Sequence, residues 1–198
     1  LIRVVGYTRT QLPEALHLLC RYVDDGDIDA VAALFHVGRA DPAATMAALL
    51  RCTTRHPQLC PACARVAASI APGDPRTTEF MRTALTSVPD DALDASVALD
   101  AVVVAGEAAA PLVHEIMRWI DVDIRRGEAL DALAALGPGA APALPVLCKL
   151  GYEGDDAKIE HTWRATEIML RTGEPGVRLT EHLARFGKSG PAPLGRLG

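Results

Sequence analysis

Residues 98–113 read ALDAVVVAGEAAAPLV and residues 129–144 read ALDALAALGPGAAPAL. Set side by side at an offset of 31, they are identical at eight of sixteen positions: Ala98/Ala129, Leu99/Leu130, Asp100/Asp131, Ala101/Ala132, Gly106/Gly137, Ala109/Ala140, Ala110/Ala141 and Pro111/Pro142. Alanine-rich composition raises any such score, but the shared Gly and Pro need another cause. An apolar run of helix formers, closed by Gly and reopened by Pro, reads as helix, tight turn, helix.

The same punctuation recurs outward from this pair. Gly38 is followed by Pro42, Gly73 by Pro75, Gly106 by Pro111, Gly137 by Pro142 and Gly173 by Pro175, and the glycines are spaced by 35, 33, 31 and 36 residues. A period of that size signals a repeat architecture. Each glycine is expected to take the left-handed conformation that ends a first helix. Each proline is expected in the first turn of a second helix, where its missing N–H is no loss. First helices are predicted at about 28–37, 61–72, 93–105, 125–136 and 158–172, and second helices at about 40–52, 75–87, 108–120, 139–150 and 175–186. A stretch at about 11–23 ends a preceding pair. Residues 151–157 are an insertion that lengthens one period. Residues 188–198 (KSGPAPLGRLG) read as a tail or partial sixth unit, after one repeat domain over 1–187.

Composition agrees with an all-α chain. Of 198 residues, 49% are hydrophobic but only 4% aromatic, so the core is built from Ala, Leu and Val. The β-branched and aromatic runs of a sheet are nearly absent. A net charge of -5 and a pI near 5.7 argue against a nucleic-acid surface. Lysine occurs only at Lys149, Lys158 and Lys188, and the arginines are scattered among acids. No apolar run is expected to reach the ~18–20 residues of a membrane span, and residues 1–7 show no signal-peptide pattern. Five irregularly spaced cysteines do not read as a disulfide framework, which points to a reducing cytoplasm. A chain beginning at Leu1 without Met is read as the repeat region of a larger protein.

The motif Gly106-Glu107-Ala108-Ala109-Ala110-Pro111-Leu112-Val113, matched by Gly137-Pro138-Gly139-Ala140-Ala141-Pro142-Ala143-Leu144, resembles the HEAT-repeat family. The likeness is to its short bacterial type, similar to the repeats of phycobilisome lyases, and it is sharpest over about residues 90–150. The resemblance implies a right-handed α-solenoid of about five helix pairs, with the second helices lining a concave face. It carries no chemistry with it.

Three sets of residues invite a functional reading. Cys52, His56, Cys60 and Cys63 offer soft thiolates and an imidazole at short spacing, as tetrahedral zinc requires. The competing readings are small apolar core residues and a redox-active dithiol at Cys60 and Cys63. Asp25-Gly26-Asp27-Ile28-Asp29 has the alternating acids of a calcium loop, but Ala30 and His36 stand where an EF-hand needs Gly and Glu. On a second helix after Pro111, Leu112, Val113, Ile116 and Ile120 fall inward. His114, Glu115, Arg118 and Trp119 then fall toward solvent or the groove, where Trp beside Arg is the make-up of an interaction hot spot. A Trp wedged into the core is the other reading. Arg178, Glu181, His182 and Arg185 form a similar stripe on the last second helix.

These features predict a cytoplasmic scaffold or adaptor that binds another protein, and not an enzyme. No catalytic residue, small-molecule substrate or cofactor other than the zinc alternative is identified, and no membrane partner is expected. The rival reading is an alkylpurine DNA glycosylase or another nucleic-acid-binding HEAT protein. In it, Trp119 with Asp121 or Asp123 would supply the aromatic and the acid. A phycobilin lyase would instead need a chromophore pocket.

Overall fold

Glycine and proline cut the chain into helices close to the expected places. The computed structural model describes residues 13–89, 92–152, 159–173, 175–178 and 180–181. Among them there are helices and turns but no strand. The chain divides after Ala105 into two compact units.

The first unit contains α1 (Pro13–Asp24), α2 (Ile28–Val37), α3 (Pro42–Arg55), α4 (Cys60–Ile70), α5 (Pro75–Ser87) and α6 (Leu93–Ala105). Three of the starts, those of α2, α3 and α5, have an aspartate cap. Asp27 accepts the Ala30 N–H at 3.1 Å, Asp41 accepts that of Ala44 at 2.9 Å, and Asp74 accepts that of Arg76 at 2.8 Å. Such caps satisfy donors that the first turn leaves orphaned. Pro42 and Pro75 stand at the first helical positions, as expected.

The predicted first helices α2, α4 and α6 pack one after another, α5 lies across α4 and α6, and α1 rests on α2 and α3. Close approach of α4 and α6 follows from side-chain size. Ala64, Ala67, Ala68, Ala95, Ala98 and Ala101 are all buried, and small residues let helix axes come near. Larger side chains, among them Leu34, Leu49, Met46, Met81, Leu85 and Leu99, fill the remaining volume.

The second unit opens with a 3-10 turn, Gly106–Leu112, then α7 (Val113–Met117) and two further 3-10 turns, Arg118–Asp121 and Asp123–Arg125. Next come α8 (Arg126–Ala135), the 3-10 turn Gly137–Ala143, α9 (Leu144–Tyr152) and α10 (Ile159–Arg171). Residues 175–178 and 180–181 are helical.

The repeated sequence is a repeated structure. Gly106 and Gly137 have φ of 60° and 55°, and each starts a seven-residue 3-10 turn. The two turns stack so closely that a β-carbon on Gly139 would lie 2.5 Å from Ala110 Cβ.

Three expectations are corrected. The second helices of these two repeats begin as 3-10, and the first of them is largely so, because Pro111 and Pro142 sit inside the turns and not at an α-helical first position. Gly38 and Gly73 are not left-handed: Gly38 has φ -63°, and Gly73 is not among the positive-φ glycines, which are Gly26, Gly106, Gly137 and Gly173. Finally, the helical stretch Leu93–Asp121 is long and apolar enough for a membrane span, although the left-handed Gly106 ends α6 at Ala105.

Gly26, unforeseen as a helix stop, closes α1. The Gly26 N–H donates to Val23 O at 3.0 Å and the Asp27 N–H to Tyr22 O at 3.1 Å, the paired bonds of a Schellman motif. The acid-rich loop is therefore a helix stop followed by a helix start.

Candidate functional site

The first unit carries a groove of about 450 Å³ across its row of first helices. Its walls come from Ile28, Val31, Ala32 and Phe35 of α2, Ala62, Arg65 and Val66 of α4, and Ser96, Val97 and Asp100 of α6. Ile28, Ala32 and Phe35 are on the face of α2 left over when Ala30, Val31, Ala33, Leu34 and Val37 turn to the core, with Val31 at the boundary. A groove of this size, mostly apolar with few polar groups, is the usual form of a binding site.

Its one charged feature, the Arg65–Asp100 pair, is ordered by two contacts of Arg65. Arg65 Nε donates to Asp100 Oδ2, and the Arg65 guanidinium lies over the Phe35 ring with its carbon 4.7 Å from the centroid. Phe35 in turn meets His36 edge-on at 5.5 Å. The side chains of Arg65 and Asp100 are 42% and 47% exposed. A pair so exposed adds only about 0–1 kcal/mol, so stability alone gives little reason for it.

A second groove, of about 390 Å³, lies between the second helices α3 and α5. Leu50, Pro57 and Phe80 give it apolar walls, with Thr53, Thr54, Thr83, Ser87, Arg76 and Glu79 around them. Its polar groups are largely spent within the chain. Thr54 Oγ1 donates to Leu50 O at 2.8 Å, Ser87 Oγ to Thr83 O at 2.6 Å, and Arg76 clasps Asp74 at 2.6 Å.

The four proposed zinc ligands separate into three environments. Cys52 and Cys63 are fully buried. Cys60 Sγ donates to Phe80 O at 3.7 Å. The His56 ring covers Gly26, where a β-carbon would stand 2.9 Å from its Cε1 and Nε2. Among the described residues no three His, Cys, Asp or Glu side chains are grouped to hold a metal ion. Burial pushes the Cys60 thiol up to about 11 and raises Cys52 and Cys63 too. A thiol held protonated is a poor nucleophile.

The expected polar stripe is divided. His114 and Arg118 are exposed and Glu115 is half-buried. Trp119 is corrected from the surface to the core: it is 0% exposed, with Leu112, Ile116 and Ile120 also fully or almost fully buried. Trp119 stands seven positions after Leu112 and three after Ile116, so the buried face of the α-helix continues through it into the 3-10 turn Arg118–Asp121. Arg118 caps the buried indole with its guanidinium carbon 4.7 Å from the ring centroid.

Asp123 pairs with Arg126 at 2.6 Å, so Trp119 and Asp123 do not stand together as an exposed aromatic and acid. Arg178 and Glu181 are exposed, while His182 and Arg185 lie outside the described residues. Trp163, on α10, is the tryptophan that remains at the surface, 45% exposed.

The groove of α2, α4 and α6 has no sequence motif of its own. Its signal was the set of apolar residues left on the solvent side of α2, with Ile28 and Phe35 in excess of what its buried face needs. Compared with protein-family models, with curated proteins and with solved structures, the chain matches none.

Proposed function

We propose that this chain is a scaffold or adaptor that binds another protein, built as a right-handed α-solenoid of HEAT-like repeats, working in the cytoplasm and not as an enzyme. The observation that carries the reading is the row of first helices α2, α4 and α6, which leaves a continuous, mostly apolar groove open on one side. Repeat arrays bury their core between neighbours and present extended surfaces of this kind. The inference from such a surface to protein binding is one of architecture, since fold alone does not set function. The chain fits equally as the repeat region of a larger protein.

The test is capture and reconstitution. The immobilised chain should retain one protein from lysate, and the purified pair should sediment as a stoichiometric complex. Recovery of no protein that re-forms a complex when purified would end the reading. Duplex DNA at low salt is the counter-probe, and saturable binding would favour the nucleic-acid alternative. Solution scattering tests the solenoid, which should give a radius of gyration well above the ~16 Å of a compact domain of this length.

A further inference from the structure

Three arginines reach across from one helix to an aspartate on another, and they differ in what they leave unused. Arg51 gives Nε and Nη2 to Asp24 at 3.0 Å each. Arg164 gives Nε to Asp131 at 3.0 Å and Nη1 to Glu167 at 2.8 Å, and its Nη2 also reaches Asp131. Asp131 occupies the same repeat position as Asp100. Arg65 gives only Nε, to Asp100, and among the described residues its two terminal nitrogens donate to no protein acceptor. A guanidinium has five N–H donors, so most of this one is unengaged.

Its orientation is nevertheless held. Phe35 holds the guanidinium carbon over its ring at 4.7 Å from the centroid, and Asp100 holds Nε. Arg65 belongs to the wall of the 450 Å³ groove, which it shares with the aliphatic Ile28, Val31, Val66 and Val97. A fixed guanidinium edge matches a carboxylate through two parallel hydrogen bonds. The aliphatic wall beside it matches an apolar side chain.

We infer that the groove of α2, α4 and α6 receives a segment of a protein partner in which a carboxylate stands next to an aliphatic side chain, the carboxylate docking on the terminal nitrogens of Arg65. Charge complementarity selects the acid, because Arg65 is the cation of the groove and Asp100 already holds its other edge. This inference rests on the scaffold reading and names the chemistry of its partner.

The smallest probe with both features is N-acetyl-leucine, and its uncharged control is N-acetyl-leucine amide. Both are titrated into the whole 15N-labelled chain while the Arg65 Nε–Hε signal and the amides of Phe35, Val66 and Val97 are followed. The acid should shift these signals in a saturable way and bind about tenfold more tightly than the amide, as a charge-assisted bond implies. Arg65→Lys keeps the charge but loses the fork and should weaken the acid to the level of the amide. Equal binding of acid and amide, shifts centred elsewhere, or no saturable shift would overturn the assignment. The comparison on the unaltered chain stands even where Arg65→Lys fails to fold.

A captured partner indifferent to Arg65→Lys and to excess N-acetyl-leucine would leave the scaffold in place and remove the groove from it. Binding of N-acetyl-leucine with no protein partner recovered would overturn the protein occupant, together with the scaffold reading.

Discussion

Gly38 and Gly73 in the first unit and Gly106 and Gly137 in the second occupy the same place in the repeat, yet the structure uses them differently. Gly106 and Gly137 are left-handed, at φ 60° and 55°. Gly38 is right-handed at φ -63° and is needed for space: a β-carbon there would lie 2.6 Å from Ile70 Cδ1 and 2.9 Å from Thr45 Cγ2. Thr45 cannot easily turn away, since it is buried and its hydroxyl donates to Gly38 O at 3.1 Å and Asp41 O at 2.9 Å. Gly73 has nothing within 4 Å of its would-be β-carbon. One letter at one repeat position therefore supplies backbone freedom in one unit, and room or merely a polar turn in the other.

Substitutions at these positions break the comparison in a graded way. The largest effect is expected at Gly139, in the stacked turns of the second unit. Its β-carbon would meet Ala110 Cβ at 2.5 Å and Ala110 Cα at 3.4 Å, and neither atom can rotate away. Gly139→Val should lower stability by the upper end of about 1–3 kcal/mol in denaturant melts. Adding Ala110→Gly should restore part of the loss, and strict additivity would contradict the contact.

Next is Gly38→Ala, at about 1–2 kcal/mol, with partial recovery in the Ile70→Val background because the clashing atom is the tip of Ile70. Gly106→Ala tests the left-handed backbone, and about 1 kcal/mol is expected with no neighbour variant able to rescue it. Gly73→Ala should change stability by less than ~0.5 kcal/mol, or raise it slightly. If Gly73→Ala cost as much as Gly106→Ala, the distinction between the two units would collapse.

Alkali should separate the units by another route. Cys20, Cys52, Cys60 and Cys63 belong to the first unit and are all raised by burial. Cys148, in the second, is half-buried and is raised by burial as well, but it stands alone there against four in the first unit. In the unfolded chain a thiol titrates near 9, whereas Cys60 holds its proton to about 11. Above the lower value the unfolded state binds fewer protons than the folded one, so stability falls as pH rises through that window. Melts from pH about 8 to about 11 should show this decline, and Cys60→Ala should flatten it. An unchanged slope in the variant would show that Cys60 does not contribute.

Much of the fold was legible because helix ends carry local chemistry. The stretch 28–37 was read to the residue, as were 75–87 and 93–105, from Gly, Pro and Asp alone. The twisting of the second helices into 3-10 turns was not legible. A seven-residue gap in α-helical bonding leaves no mark in apolar periodicity when Ala occupies three of the seven positions, as in GEAAAPL and GPGAAPA. Trp119 was legible as a core residue: it stands seven positions after Leu112 and three after Ile116, a spacing that an α-helical and a 3-10 period both place on the buried face. The groove was hidden more deeply. Arg65, Asp100 and Phe35 are up to 65 positions apart in the chain, and only packing of α2, α4 and α6 unites them.

The buried thiols give this protein an internal clock. An alkylating reagent can reach Cys52 or Cys63 only when α3 parts from α4, so each labelled molecule records one opening event of that helix pair. Cys148, half-open on α9, starts the count for the second unit earlier. Peptide masses taken at successive times would then date the breathing of each unit within a single tube, with no probe added to the chain.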